Sequence, residues 1–122
     1  MSVRFLRAAN QRGRVLGDRI VVADRWWLRL KGLMGRSSLA PGEGLLLRPC
    51  RAVHMMGMRF PLDIAFLDTN GTVVAAYADL RPGGRTGWHR QADGALELPA
   101  GTLAASGTRE GDQIVCTEEF HS

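Results

Sequence analysis

The apolar positions of this sequence fall mostly in short runs separated by Gly, Pro and polar clusters, the pattern of brief β-strands joined by turns. Val3–Ala8 and Val15–Val22 read as strands on either side of the polar turn at Asn10–Arg14. The period then changes. Ala23, Trp26, Trp27, Leu30, Leu33 and Met34 share the spacing of one helical face, with Asp24 placed to cap the start and Gly35 to end it. An all-apolar stripe of this kind packs as core, Trp pair included. Beyond the loop Ser37–Gly44, Leu45–Leu47 is a strand. Ile64–Asp68 and Thr72–Asp79 form two more, joined by Asp68-Thr69-Asn70-Gly71, and Asn-Gly between apolar runs is a strong hairpin signal. Arg81–Gly94 is a Gly-rich loop holding Trp88 and His89. Ala95–Leu98 is a strand, Pro99 opens a short helix that runs through Ser106 and stops at Gly107, and Gln113–Thr117 is the last strand. About seven short strands and two short helices predict a mainly β (α+β) fold, a compact antiparallel barrel-like sheet with helices covering an open end.

Length sharpens this to one domain over residues 1–122, large enough to bury a core without staples. No apolar run approaches the roughly 18 residues of a membrane span. The N-terminus carries Arg4, Arg7, Arg12 and Arg14 but lacks the apolar stretch of a secretory signal, and so reads as cytoplasmic. Cys50 and Cys116 are too few for a disulfide framework and are expected as free thiols.

The net charge of +4 hides an asymmetry, with 12 basic and 3 acidic residues up to Arg59 against 4 basic and 9 acidic from Phe60 onward. Basic residues can serve phosphate binding. Here they are scattered singly, need not form a patch if the two halves interleave, and come without aromatic-rich strand motifs. Those features argue against nucleic acid as a partner.

The chemically unusual segment is Cys50 to Asp63, which holds Cys50, His54, Met55, Met56, Met58, Arg59 and Asp63. Thiolate, thioether and imidazole together suit a soft metal such as copper. In an extended chain, however, Cys50 and His54 lie about 13 Å apart and His54 and Met56 about 6.6 Å apart. The same separation weakens a Cys50–His54 dyad, and His89 could act as the base only if its loop folds over Cys50. Asp63 points to the face of Ala65 and Leu67, where a carboxylate needs a partner, and Arg59 is the expected one. That pair either fixes a strand entry or anchors a ligand at a pocket mouth. Phosphate-loop, dinucleotide, GxSxG and HExxH motifs are lacking, and no cofactor is assigned.

The ordered motifs KGLMGRSSL, GEGLLL, FPLDIAFLDTNGTVV, ALELPAG and EGDQIV resemble the prokaryotic family called domain of unknown function 192 over roughly Val21 to Cys116. The resemblance implies a compact barrel-like β fold with small helices and brings no established activity, cofactor or catalytic residue. Many members of that family carry an export signal. Gly32, Leu33, Met34, Gly35, Pro61, Leu62, Asp63, Glu97, Gly111 and Asp112 match its pattern. Where many members have a Trp-Met-Lys-Asn run, this chain has His54-Met55-Met56-Gly57.

The expectation is a non-enzymatic binding or accessory module that holds a small molecule or a protein segment near a rim of His54, Met56, Arg59 and Asp63. Flexible Met side chains would adapt to the ligand and Arg59 would orient an anionic group. A thiol- or His-dependent enzyme using Cys50, His54 or His89, and a soft-metal (Cu/Zn) binder, are the alternatives these residues leave open.

Overall fold

The computed structural model describes residues 3–23, 33 and 35–121. Apart from Ala23 and Leu33, the helix expected between Ala23 and Met34 lies outside the described residues. The alternating runs become β1 (Val3–Asn10), β2 (Val15–Ala23), β3 (Glu43–Leu47), β4 (Leu62–Leu67), β5 (Val73–Leu80), β6 (Gly94–Pro99) and β7 (Ile114–His121), with α1 (Thr102–Ser106) between the last two. Pro99 ends β6 rather than opening the helix. Gly107 closes α1 at φ 66°.

All seven strands lie in one sheet in the order β5-β4-β6-β3-β2-β1-β7. The sheet is antiparallel as expected at every pairing but one, β2 and β3, which pair in parallel from Arg19 opposite Glu43 to Ala23 opposite Leu47. A parallel pair needs a connection of a dozen or more residues, and the sequence between Ala23 and Glu43 is long enough for one. The sheet curls into a half-barrel until its edge strands meet at one end. There Thr72 bridges Gln113, the Ile114 amide donates to Gly71 O at 2.8 Å, and the Val73 amide donates to Asp112 O at 2.9 Å.

Curling gives the two faces different cores. The inner face gathers Ala8, Leu16, Ile20, Leu46, Ala65, Leu67, Val73, Leu96, Leu98 and Ile114, and Leu103 of α1 packs into the same cluster. The outer face of β3, β4 and β6 presents Leu45, Leu62, Ile64, Phe66 and Ala95 to a layer of loops that contributes Cys50, Val53, Met55, Met58, Phe60 and Ala92. Period-2 alternation thus splits β4 between both cores, which is why all six of its residues are buried.

A polar clamp joins the β1–β2 turn to the β7 entry. Arg12 forms an ion pair with Asp112 at 3.0 Å, Gln11 donates to the same carboxylate at 2.9 Å, and the Arg109 amide adds a third donor at 2.9 Å. These donors, Arg12 foremost, hold the Asp112 carboxyl well below the usual carboxylate range. The folded state then binds the proton more weakly than the unfolded chain, so the contribution is complete above the ordinary Asp value of about 4 and fades as pH falls below it. Asp112→Asn is expected to flatten the acid limb of a stability-versus-pH curve between about pH 4 and pH 2. Equal acid slopes for the two proteins in urea titrations would contradict this.

Candidate functional site

The segment after β3 turns at Pro49, and from Arg51 to Met55 it runs beside the Gly-rich loop that follows β5. The His89 amide donates to Arg51 O at 2.8 Å, Thr86 N to Val53 O at 2.9 Å, Met55 N to Gly84 O at 2.8 Å, and Gly83 N to Met55 O at 3.0 Å. His54 and Arg85 sit opposite each other as an antiparallel bridge. The ribbon has an inward side and an outward side. Val53 and Met55 are buried in the outer-face core, whereas His54 and Arg85 are exposed.

At Met55 the extended path ends. The Met58 amide donates to Met55 O at 3.1 Å, closing a turn with Met56 and Gly57 at its tip, and Gly57 takes a φ of 81°. Met56 is therefore thrust outward, at 74% exposure, while Met58 folds back into the core.

Residues 48–60 and 81–91 contain Arg48, Arg51, Arg59, Arg81, Arg85 and Arg90, and no acidic residue. All six are exposed. Arg48 pairs with Asp93 at 3.1 Å and Arg81 with Asp79 at 2.9 Å. Arg51, Arg59, Arg85 and Arg90 make no ion pair among the described residues. Exposed arginines from both halves of the chain are thus carried on the two paired loops and the residues flanking them.

Of the four residues expected at one rim, the structure places His54, Met56 and Arg59 on this loop layer and Asp63 elsewhere. Asp63 is fully buried on the other face of β4, beside the inner core. Its Oδ1 accepts from the Asp79 amide at 2.8 Å, and its Oδ2 from the amides of Gly101 at 3.1 Å and Leu103 at 2.9 Å. The expected Arg59–Asp63 pair is absent. Three backbone donors satisfy the carboxylate, and they anchor both the start of α1 and the left-handed Asp79 (φ 55°) at the end of β5.

Cys50 and His54 also part company. Cys50 is buried and its thiol donates to Ala52 O at 3.2 Å, whereas His54 faces outward. The His89 loop does fold against the chain next to Cys50, but its Nε2 is hydrogen-bonded to the Tyr77 hydroxyl at 2.7 Å and its ring packs on Phe66 at 4.6 Å between centroids. Burial pushes the Cys116 thiol up, against thiolate chemistry at neutral pH. Among the described residues, no three His, Cys, Asp or Glu side chains converge as a metal set, and no helix is long and apolar enough to cross a membrane.

Trp88, 71% exposed on the second loop, was not among the residues expected at a site. It lines a cleft of about 270 Å³ with Val74, His89, Arg90 and Gln91. A larger cavity of about 400 Å³ lies between β2, β3 and Leu39, with the Arg36–Glu43 ion pair at its edge. Its wall includes Ala23 and Leu33, which flank positions outside the described residues, and no role is assigned to it.

Two solved structures are similar over nearly the whole chain. A Sinorhizobium meliloti protein described as a "putative transcription regulator" is 26% identical with a TM-score of 0.75, covering 95% of this chain and 94% of its own. A protein of unknown function from Novosphingobium aromaticivorans is 25% identical with a TM-score of 0.76, covering 93% and 84%. No curated protein matches the sequence. The model of the family described as "Uncharacterized ACR, COG1430" (domain of unknown function 192) matches residues 7–116. With the curled seven-stranded sheet and this match over most of its length, the chain belongs to the domain of unknown function 192 family.

Proposed function

We propose that this protein is a non-enzymatic binding module that holds a small molecule or a protein segment against the paired loops, with His54, Met56 and Arg59 among the contacts. One observation carries the reading. Backbone hydrogen bonds lock two loops side by side, and that ribbon displays exposed Met56 and Trp88 among arginines that have no ion pair among the described residues. Exposed large apolar groups beside unneutralised guanidinium groups suit an anionic ligand with apolar parts. Asp63 supports the scaffold from the opposite side of β4. The Cys50 thiol and the Asp63 carboxylate are buried and the His89 ring is bonded to Tyr77, which leaves His54 as the exposed one of these groups on the loop face.

Thermal melts of the wild type across a broad metabolite collection, together with capture of partners from a lysate, test this. A ligand should raise the melting temperature by several degrees, as expected when it is present well above its Kd. The variant Met56→Ser/Arg59→Ala should keep the wild-type melting temperature without ligand and lose most of the shift, whereas Cys50→Ala should retain it. A collection that moves nothing, with no partner captured, contradicts the proposal. So does a ligand that stabilises the loop variant as well as it does the wild type.

A further inference from the structure

The cleft beside Trp88 has a composition that narrows the ligand class, an inference resting on the reading of the paired loops as a binding face. The Ala92 amide donates to His89 O at 3.0 Å, so His89–Ala92 is a tight turn with Arg90 and Gln91 at its apex. The turn is fixed from beneath. The His89 ring is tied to the Tyr77 hydroxyl at 2.7 Å and packs on Phe66, and its amide is tied to Arg51 O at 2.8 Å. The cleft above therefore combines an exposed indole, the apolar wall of Val74, the carboxamide of Gln91 and the guanidinium of Arg90. Arg51, whose carbonyl accepts from the His89 amide, is exposed on the neighbouring stretch of chain.

An indole face stacks flat rings, a carboxamide both donates and accepts at a ring edge, and a guanidinium forks onto phosphate oxygens. We propose that this cleft binds a nucleotide unit, its base against Trp88 and Gln91 and its phosphate at Arg90. An acidic peptide would satisfy the arginines but has no need of a flat aromatic face. The base can come from a free nucleotide or from a single strand. The loop-borne Trp88 supplies the stacking surface that strand motifs lack.

Fluorescence anisotropy with labelled oligouridylate and oligothymidylate, competed by uridine monophosphate, inorganic phosphate, heparin and polyglutamate, tests the assignment. Wild-type protein should bind the labelled strand. Trp88→Ala should weaken binding roughly tenfold, within the range of one lost stacking contact, and Arg90→Ala should weaken it and lower the salt slope by about one. Both side chains are exposed, so unchanged melting temperatures will show that the fold is intact. Complete competition by the mononucleotide assigns a free nucleotide; competition by unlabelled strand alone assigns single-stranded nucleic acid. The inference is overturned if Trp88→Ala binds like wild type, if polyglutamate binding shows the same Trp88 dependence, or if neither strand nor nucleotide binds at low salt. In that last case, a ligand shift that still depends on Met56 and Arg59 would leave the parent proposal standing.

Discussion

Asp63→Ala is expected to destabilise the protein by about 3 to 5 kcal/mol, since it strips a fully buried carboxylate from three backbone donors at once. The Asp79 amide lies at the end of β5 and the Gly101 and Leu103 amides at the start of α1, and each would be left without its acceptor. Asp63→Asn keeps one carbonyl oxygen but turns an amide N–H toward a donor, so its loss should be smaller, about 2 kcal/mol. Equilibrium urea unfolding reads both. A loss below about 0.5 kcal/mol for Asp63→Ala, the range of ordinary surface changes, would mean that the clamp contributes little. Because Asp63 and the loop layer occupy opposite faces of β4, folded Asp63→Asn should bind any loop-face ligand as wild type does.

Gly71→Ala should cost roughly 3 kcal/mol at the other end of the sheet. Gly71 has a φ of 82°, where a Cβ carries a penalty of about 1 to 2 kcal/mol on its own. A Cβ there would also collide with the Ile114 carbonyl oxygen, at the point where β5 and β7 close the half-barrel. Gly13 separates the two effects, having a similar φ of 80° but open space around it. Gly13→Ala should therefore lose only the conformational part, about 1 kcal/mol. If the two variants melted alike, the closure at Gly71 would not be under the steric restriction described.

Much of the scaffold was legible because alternation survives wherever one face of a strand is buried. The Asp68–Gly71 turn shows how local chemistry can suffice. The Asp68 side chain accepts from the amides of Asn70 and Thr72, both at 2.9 Å, and Gly71 takes the left-handed position. Asp63 was half legible. Its spacing put it on the face of Ala65 and Leu67, but its partners are backbone amides brought in by folding, which no side-chain pairing rule could point to. The parallel β2–β3 pair was hidden because strand direction is decided by the crossover, not by the strands.

The loop face was the least legible part. Residues 51–55 and 83–89 pair without an apolar repeat on the second segment, which is Gly-rich and carries Arg85 and Trp88, so their adjacency leaves no periodic signal. Counting charge by halves of the chain also concealed that the loop face draws Arg51 and Arg59 from one half and Arg85 and Arg90 from the other. Met56 escaped the extended geometry because Gly57, which can take positive φ, permits the turn that exposes it.

Native mass spectrometry of the untagged protein beside Met56→Ser/Arg59→Ala tests the binding-module account most directly, since it weighs metabolite, metal and partner together. The account predicts a ligand or partner retained on the wild type and lost from the loop variant, while both remain folded. A wild-type protein without any bound species, or one whose bound species stays equally on the variant, would contradict it.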